Sequence, residues 1–354
     1  MLEKRFFTLF FIFNITLVFS QVNIKSFLPN GYVKDASVDY TEYLQDVLDN
    51  YDNIVFPDFP ILINDTGLIL RSSTKLDFED GGRLVLKPSS KSHYAMLLIE
   101  NVHDVIVQNA VIIGDRFNHK GKKGEWGMGI YIKGGTNILI NNVSVSQCWG
   151  DGIDVTHSDK QNSENVIIRE INLHKNRRNG ITIGSGKNIT LSEIDVSFTD
   201  GTLPTAGICI EPNNSKALLE NLKISNIKSS NNGVGVSVGL MRYPSYEDRE
   251  LSITISNLIS INDSIGIVYG DYKRNYDVDF KKLVGLIEFK DIKIINPIFM
   301  GIKLFSPYGY EFSPYVVFKS IDIHIEDLIV KKNQRKLVEN NKIRNIIFSN
   351  IKFN

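Results

Sequence analysis

One short phrase, glycine–apolar–any–apolar, recurs along this chain and constrains its fold more than any other feature. It reads Gly129-Ile130-Tyr131-Ile132, Gly152-Ile153-Asp154-Val155, Gly180-Ile181-Thr182-Ile183 and Gly207-Ile208-Cys209-Ile210. It returns as Gly235-Val236-Ser237-Val238, Gly266-Ile267-Val268-Tyr269 and Gly301-Ile302-Lys303-Leu304, with leading glycines 23 to 35 residues apart. Between the copies run second alternating stretches, several rich in asparagine, such as Asn137 to Val143, Asn165 to Ile168 and Asn188 to Leu191. Alternation of apolar and other residues is the mark of a strand. A strand that returns at a long period, with no helical pattern between copies, cannot bury its own face and must stack on its neighbours. The expected fold is therefore all-β, a right-handed parallel β-helix. Its apolar positions fill one continuous core, asparagine takes left-handed turn conformations, and glycine opens each strand where side chains would crowd. A β-sandwich is the rival, but it gives no reason for one Gly-Ile-x-Ile per coil.

The 354 residues would otherwise suggest two domains. A solenoid escapes the size limit of a globular core, and no Pro- or Gly-rich linker divides the chain, so residues 21–354 are read as one domain. A helical cap is expected at about 37–50, where Tyr40, Tyr43, Leu44, Val47 and Leu48 fall at helical spacing and Asp39 with Glu42 offers a capping-box signal. It would cover the first coil and block an open strand edge. Coils would fill about 54–354. Residues 1–20 carry Lys4 and Arg5, an apolar run from Phe6 to Phe19 and then Ser20, the pattern of a signal peptide for a secreted or periplasmic protein. No later segment is apolar enough to span a bilayer. Lys plus Arg (40) cancels Asp plus Glu (40), so there is no bulk electrostatic case for nucleic acid. Cys148 and Cys209 are the only cysteines and are expected to be structural thiols; no Cys/His pattern suggests zinc.

In the repeated phrase the apolar positions face inward and the others outward. One outward column is then Tyr131, Asp154, Thr182, Cys209 and Ser237, and a second is Lys133, Thr156, Gly184, Glu211 and Gly239. Asp154 and Glu211 lie two coils apart on one face, roughly 9–11 Å at the usual strand spacing. Such a gap approaches that of the two carboxyls of an inverting glycoside hydrolase. Acids on an otherwise small-residue strand have no structural need. Asp151, in the preceding turn, either assists them or caps backbone amides. Trp126 and Trp149 each precede the leading strand of adjacent coils and are expected to stack on one edge, either against a sugar face or as packed turns. Glu125 precedes Trp126, and His119 sits in the long loop 114–124, the kind of excursion that carries function on rigid scaffolds. Later coils are lengthened at Met241–Arg249, Gly270–Tyr276 and Ser306–Ser313, whose Arg242, Tyr243, Tyr272 and Tyr308 are expected to wall a groove for an anionic or highly hydroxylated glycan.

Three stretches resemble the pectate-lyase-like superfamily of right-handed β-helix proteins, in the branch of bacterial polysaccharide-degrading enzymes and phage tailspikes. They are Asp39 to Asp49 followed by Ile54 to Pro57, Gly124 to Ile130, and Cys148 to Asp154 together with Gly207 to Pro212. With the coil repeat, the resemblance covers roughly residues 35 to 330. It implies the fold and a carbohydrate-active role, with a monomer or a tailspike-like homotrimer as the assembly. The polygalacturonase-type series (Asn-Thr-Asp, Asp-Asp, Gly-His-Gly, Arg-Ile-Lys) is absent, as is the calcium-dependent lyase pattern, so no catalytic residue transfers. The leading expectation is an exported enzyme that hydrolyses glycosidic bonds of a polysaccharide, with Asp154 and Glu211 as its acid/base pair, Asp151 assisting, and no cofactor. A polysaccharide lyase, for which Ca²⁺ is the candidate cofactor, and a non-catalytic glycan-binding or surface-structural β-helix are the alternatives.

Overall fold

The computed structural model describes residues 21–214, 216–240, 243, 250–270, 284–305, 315–324, 338–341, 346–349 and 352–353. The proposed signal peptide lies outside them, as do Arg242, Tyr272 and Tyr308. No described helix is long and apolar enough to cross a membrane.

The chain forms a parallel β-solenoid; among the described residues its strands stack into a larger sheet of 16 strands and a smaller one of 10, all paired in parallel. The repeated phrase builds the smaller sheet. Ile130, Ile153, Ile181, Ile208, Val236, Ile267 and Ile302 stand in register from coil to coil, all buried. Two residues on, Ile132, Val155, Ile183, Ile210, Val238, Tyr269 and Leu304 form a second interior column, also buried. The period-two alternation thus sends one set of side chains into a core that runs the length of the stack.

The glycine column has a specific cause. A Cβ on Gly180 would lie 2.5 Å from the carbonyl oxygen of Gly207, and one on Gly152 would lie 2.7 Å from that of Gly180. Each coil's glycine carbonyl occupies the space a side chain would need on the coil before it. Gly180→Ala should therefore destabilise the stack by about 1–3 kcal/mol, the usual cost of forcing extra atoms into a packed interior. The drop in urea midpoint measures it. An unchanged midpoint would mean that the coils can separate at no cost.

The asparagines behave as their chemistry predicts. Asp104, Asn137, Asn165, Asn188 and Asn221 all take positive φ, from 52° to 58°. Each asparagine amide donates to the side-chain oxygen of the preceding coil's residue, at 2.8–3.1 Å. A left-handed corner that suits asparagine is repeated in each coil, and the ladder of amides ties the corners together.

The cap is a helix, Thr41–Asn50, shorter at its start than the expected 37–50. The capping box is replaced by another arrangement: Asp39 Oδ1 accepts from the Thr41 amide at 3.1 Å and from its hydroxyl at 2.6 Å. Leu44, Val47 and Leu48 are buried against the first coils. Gln45 closes the exposed strand edge directly, with its amide nitrogen donating to Ile69 O at 3.0 Å while its oxygen accepts from Ile69 N at 2.8 Å. One side chain thus satisfies the backbone groups that would otherwise recruit another strand.

Candidate active site

The outward columns are in the expected register. Tyr131 pairs with Asp154, Asp154 with Thr182, Thr182 with Cys209, and Cys209 with Ser237. The column is outward in direction only, because Thr182, Cys209 and Ser237 are buried. Asp154, Thr156 and Thr182, with Arg178 from the turn before Gly180, line a cleft of about 650 Å³. Asp154, Glu211, Tyr131, Trp126 and Glu125 line this cleft, as five of the sequence-derived candidates.

Arg178 organises the floor. Its Nη1 donates to Asp151 Oδ2 at 2.9 Å and its Nη2 to Glu211 Oε2 at 2.6 Å. One planar guanidinium therefore holds two carboxylate oxygens within about 8 Å of each other, the span of its fork and two hydrogen bonds. The flanking carboxylates outweigh the effect of burial and hold Arg178 firmly protonated. Asp151 is fully buried and does not line the cleft. Beyond Arg178 it accepts from Thr182 Oγ1 at 2.7 Å and from the Asn179 amide at 3.0 Å. Asn179 in turn donates to Thr182 Oγ1 at 2.9 Å and accepts from the Ala206 amide at 3.0 Å. Burial raises the Asp151 pKa, against the pull of Arg178 and of these bonds. Asp151 thus supports the floor from beneath and fixes Arg178.

Asp154 stands apart from this network. Its Oδ1 is buried with no hydrogen-bond partner. Burial pushes its carboxyl well above the usual carboxylate range, and the neighbouring Asp151 and Glu211 push it the same way against Arg178. Tyr131, one coil earlier, is raised as well, by burial and then by Asp154. The cleft thus holds a carboxyl that favours its protonated form beside a carboxylate already paired with an arginine. That asymmetry of environment separates the acid from the base in paired-carboxyl sites.

The rim is apolar and aromatic. Trp126 is 46% exposed and Leu203 81%, and both line the cleft with Met128 and Pro204. His93 lies between Trp126 and Tyr131, with ring centroids 6.4 and 6.3 Å away. If the cleft binds sugar rings, Trp126→Ala should weaken retention of a bound glycan roughly 2- to 10-fold, from the loss of one aromatic face. Affinity electrophoresis reads this directly, and unchanged mobility would remove Trp126 from the binding surface.

Three expected site residues are elsewhere. Trp149 sits one coil from Trp126, with Gly150 N donating to Gly127 O at 2.8 Å, but it does not line the cleft. It is sandwiched between His119, 3.9 Å away between ring centroids, and the Arg177 guanidinium at 3.8 Å. His119 Nδ1 is bonded to Asp115 Oδ2 at 2.8 Å, and Asp115 also accepts from Tyr94 and from the Ser89 amide. The loop that was expected to reach outward instead folds back on Trp149, because a buried aspartate pins it. His119 and Trp149 therefore support the wall behind the cleft. Tyr243, expected in a groove wall, is fully buried in the core, with its backbone amide donating to Leu240 O at 3.0 Å.

Sequence reasoning missed Arg178, His93, Met128, Leu203, Pro204 and Asn213 as parts of the cleft. Arg178 had a readable signal: it lies in the turn before Gly180, one coil beyond the turn that carries Asp151. Leu203 and Pro204 come from a loop with no repeat register. Among the described residues, no three His, Cys, Asp or Glu side chains converge as a metal-binding group.

The sequence profile described as a right-handed beta helix region matches residues 90–279. A curated Bacillus subtilis protein, the uncharacterized protein YclG, is 28% identical over 213 residues, covering 51% of this chain and 36% of its own length. The chain spans about a third of the length of the curated relatives it matches. Among solved structures, the endo-xylogalacturonan hydrolase of Aspergillus tubingensis aligns with a TM-score of 0.61 at 17% identity, covering 90% of each chain. The Streptococcus pneumoniae surface protein and adhesin PfbA aligns with a TM-score of 0.51 at 14% identity, covering 94% of this chain and 99% of that one. At these identities both likenesses concern the fold.

Proposed function

The chain belongs to the family of right-handed beta helix regions, and from that premise we propose that its cleft binds a polysaccharide and hydrolyses a glycosidic bond. The observation that carries this reading is Asp154: a carboxyl on the cleft floor, raised well above its ordinary pKa, with one oxygen buried and free of any partner. A protonated carboxyl of that kind can deliver its proton to a glycosidic oxygen as the leaving group departs. Glu211, fixed by Arg178, acts as the base that takes a proton from the attacking water. Asp151 is a positioning residue acting through Arg178 and Thr182. The named activity of the Aspergillus neighbour, hydrolysis of a polysaccharide, agrees in kind. A protein with this substrate works outside the cytoplasm, in keeping with export by residues 1–20.

Glycan binding without chemistry is the second reading. It is favoured by the Arg178–Glu211 ion pair at 2.6 Å, which engages one oxygen of the proposed base, and by the adhesin built on the same fold. Incubating the purified protein with a panel of polysaccharides separates the readings. New reducing ends without ultraviolet-absorbing unsaturated products, lost in Glu211→Gln, would establish hydrolysis by this pair. Unsaturated products would instead identify a lyase. Retention of a glycan with no new ends of either kind would leave a binding module.

A further inference from the structure

We infer that the cleft selects neutral sugar units and rejects uronate and sulfate groups, an inference that rests on the glycan reading and narrows its substrate. The argument comes from the charges around the floor. Arg178 is the one arginine or lysine that lines the cleft among the described residues. Its two terminal nitrogens are taken, by Asp151 at 2.9 Å and Glu211 at 2.6 Å, and its Nε is buried, so its charge is already matched by two carboxylates before a substrate arrives. Three further cations are committed as well. Arg177 stacks on Trp149 and donates to Gly124 O at 2.9 Å, Arg116 is ion-paired with Asp200, and Lys133 is ion-paired with Glu100 at 2.9 Å.

Against the single arginine stand Glu125 and Glu211 in the lining and Asp151 beneath it. The floor is thus electronegative before any ligand arrives. A uronate carboxylate or a sulfate set on it would be desolvated beside like charge, and among the described residues the lining holds no arginine or lysine besides Arg178 to meet it, a strongly unfavourable arrangement. A neutral pyranose meets the opposite conditions. Its hydroxyls can donate to Glu211 and Glu125, and its C–H face suits the exposed Trp126 and Leu203. The named substrate of the Aspergillus neighbour is a galacturonan, so the shared scaffold would here carry the reverse charge preference.

The test uses a pair of polymers with one backbone, polygalacturonate and its fully methyl-esterified form, beside neutral galactan and xyloglucan. Retention of the full chain is read by affinity electrophoresis and cleavage by reducing ends. The expected result is retention or cleavage of neutral or esterified polymers at least tenfold in excess of the free acid. Added salt should narrow that gap by screening the repulsion, and Glu125→Gln should narrow it as well. Preference for polygalacturonate or a sulfated glycan would overturn the charge selectivity while leaving the glycan reading in place. Neither retention nor cleavage of any polymer would overturn both.

Discussion

Asp154→Asn should lower kcat on a cleaved polysaccharide by about 10²–10⁴-fold, the range a positioned proton donor supplies. Glycan retention should be nearly unchanged, because the amide keeps the size and polarity of the acid. The pH profile gives the same residue a second, independent signature. Burial and two neighbouring carboxylates raise the Asp154 pKa. The active form is protonated, so activity should fall as pH rises through this raised value, and the alkaline limb should disappear in Asp154→Asn. A variant that keeps more than about a tenth of the rate would move the acid role elsewhere in the cleft.

Arg178→Met should destabilise the protein by about 3–5 kcal/mol, the cost of removing one member of a buried ion pair. Its side chain is 11% exposed and that of Asp151 only 1%, so solvent offers the stranded aspartate little relief. The deficit should depend on pH in a defined direction. Burial already raises Asp151 in the folded protein, and losing the cation raises it further. A carboxyl with a raised folded pKa destabilises the fold once pH exceeds its unfolded value near 4. The deficit should therefore grow as pH rises from that value through the raised folded one, and shrink as pH falls back toward it. Urea midpoints at neutral and acidic pH measure it, and Asp151→Asn in the same chain should recover most of the loss. A deficit that is independent of pH would mean Arg178 acts by packing alone.

These two residues also mark how far the sequence could be read. Asp154 was legible because its position in the repeated phrase fixes its direction: alternation along a strand admits two faces, and its apolar neighbours Ile153 and Val155 occupy the inner one. Glu211 followed by the same logic, extended past the end of its strand. Asp151 was visible as an acid beside them, but its depth was not, since a turn has no alternation to say which way a side chain points. The same lack of alternation left the packing of Trp149 and His119 open. Both lie outside strands, and a buried Asp115 bonded to His119, Tyr94 and the Ser89 amide decides where they pack.

The solenoid, its inner columns, the asparagine corners and the face that carries the acids are legible in the residues alone, because all of these repeat and a period is a local property. Contacts across the stack set the remainder. They made Arg178 the clamp between Asp151 and Glu211, left Asp154 without a partner, folded the 114–124 loop against Trp149 and brought Leu203 to the rim. Each of those outcomes depends on which side chain of one coil reaches which atom of another. That is set by loop conformation, burial and charge across the stack, and residues 27 or 33 positions apart in sequence, as Arg178 is from its two carboxylates, carry no local sign that they meet.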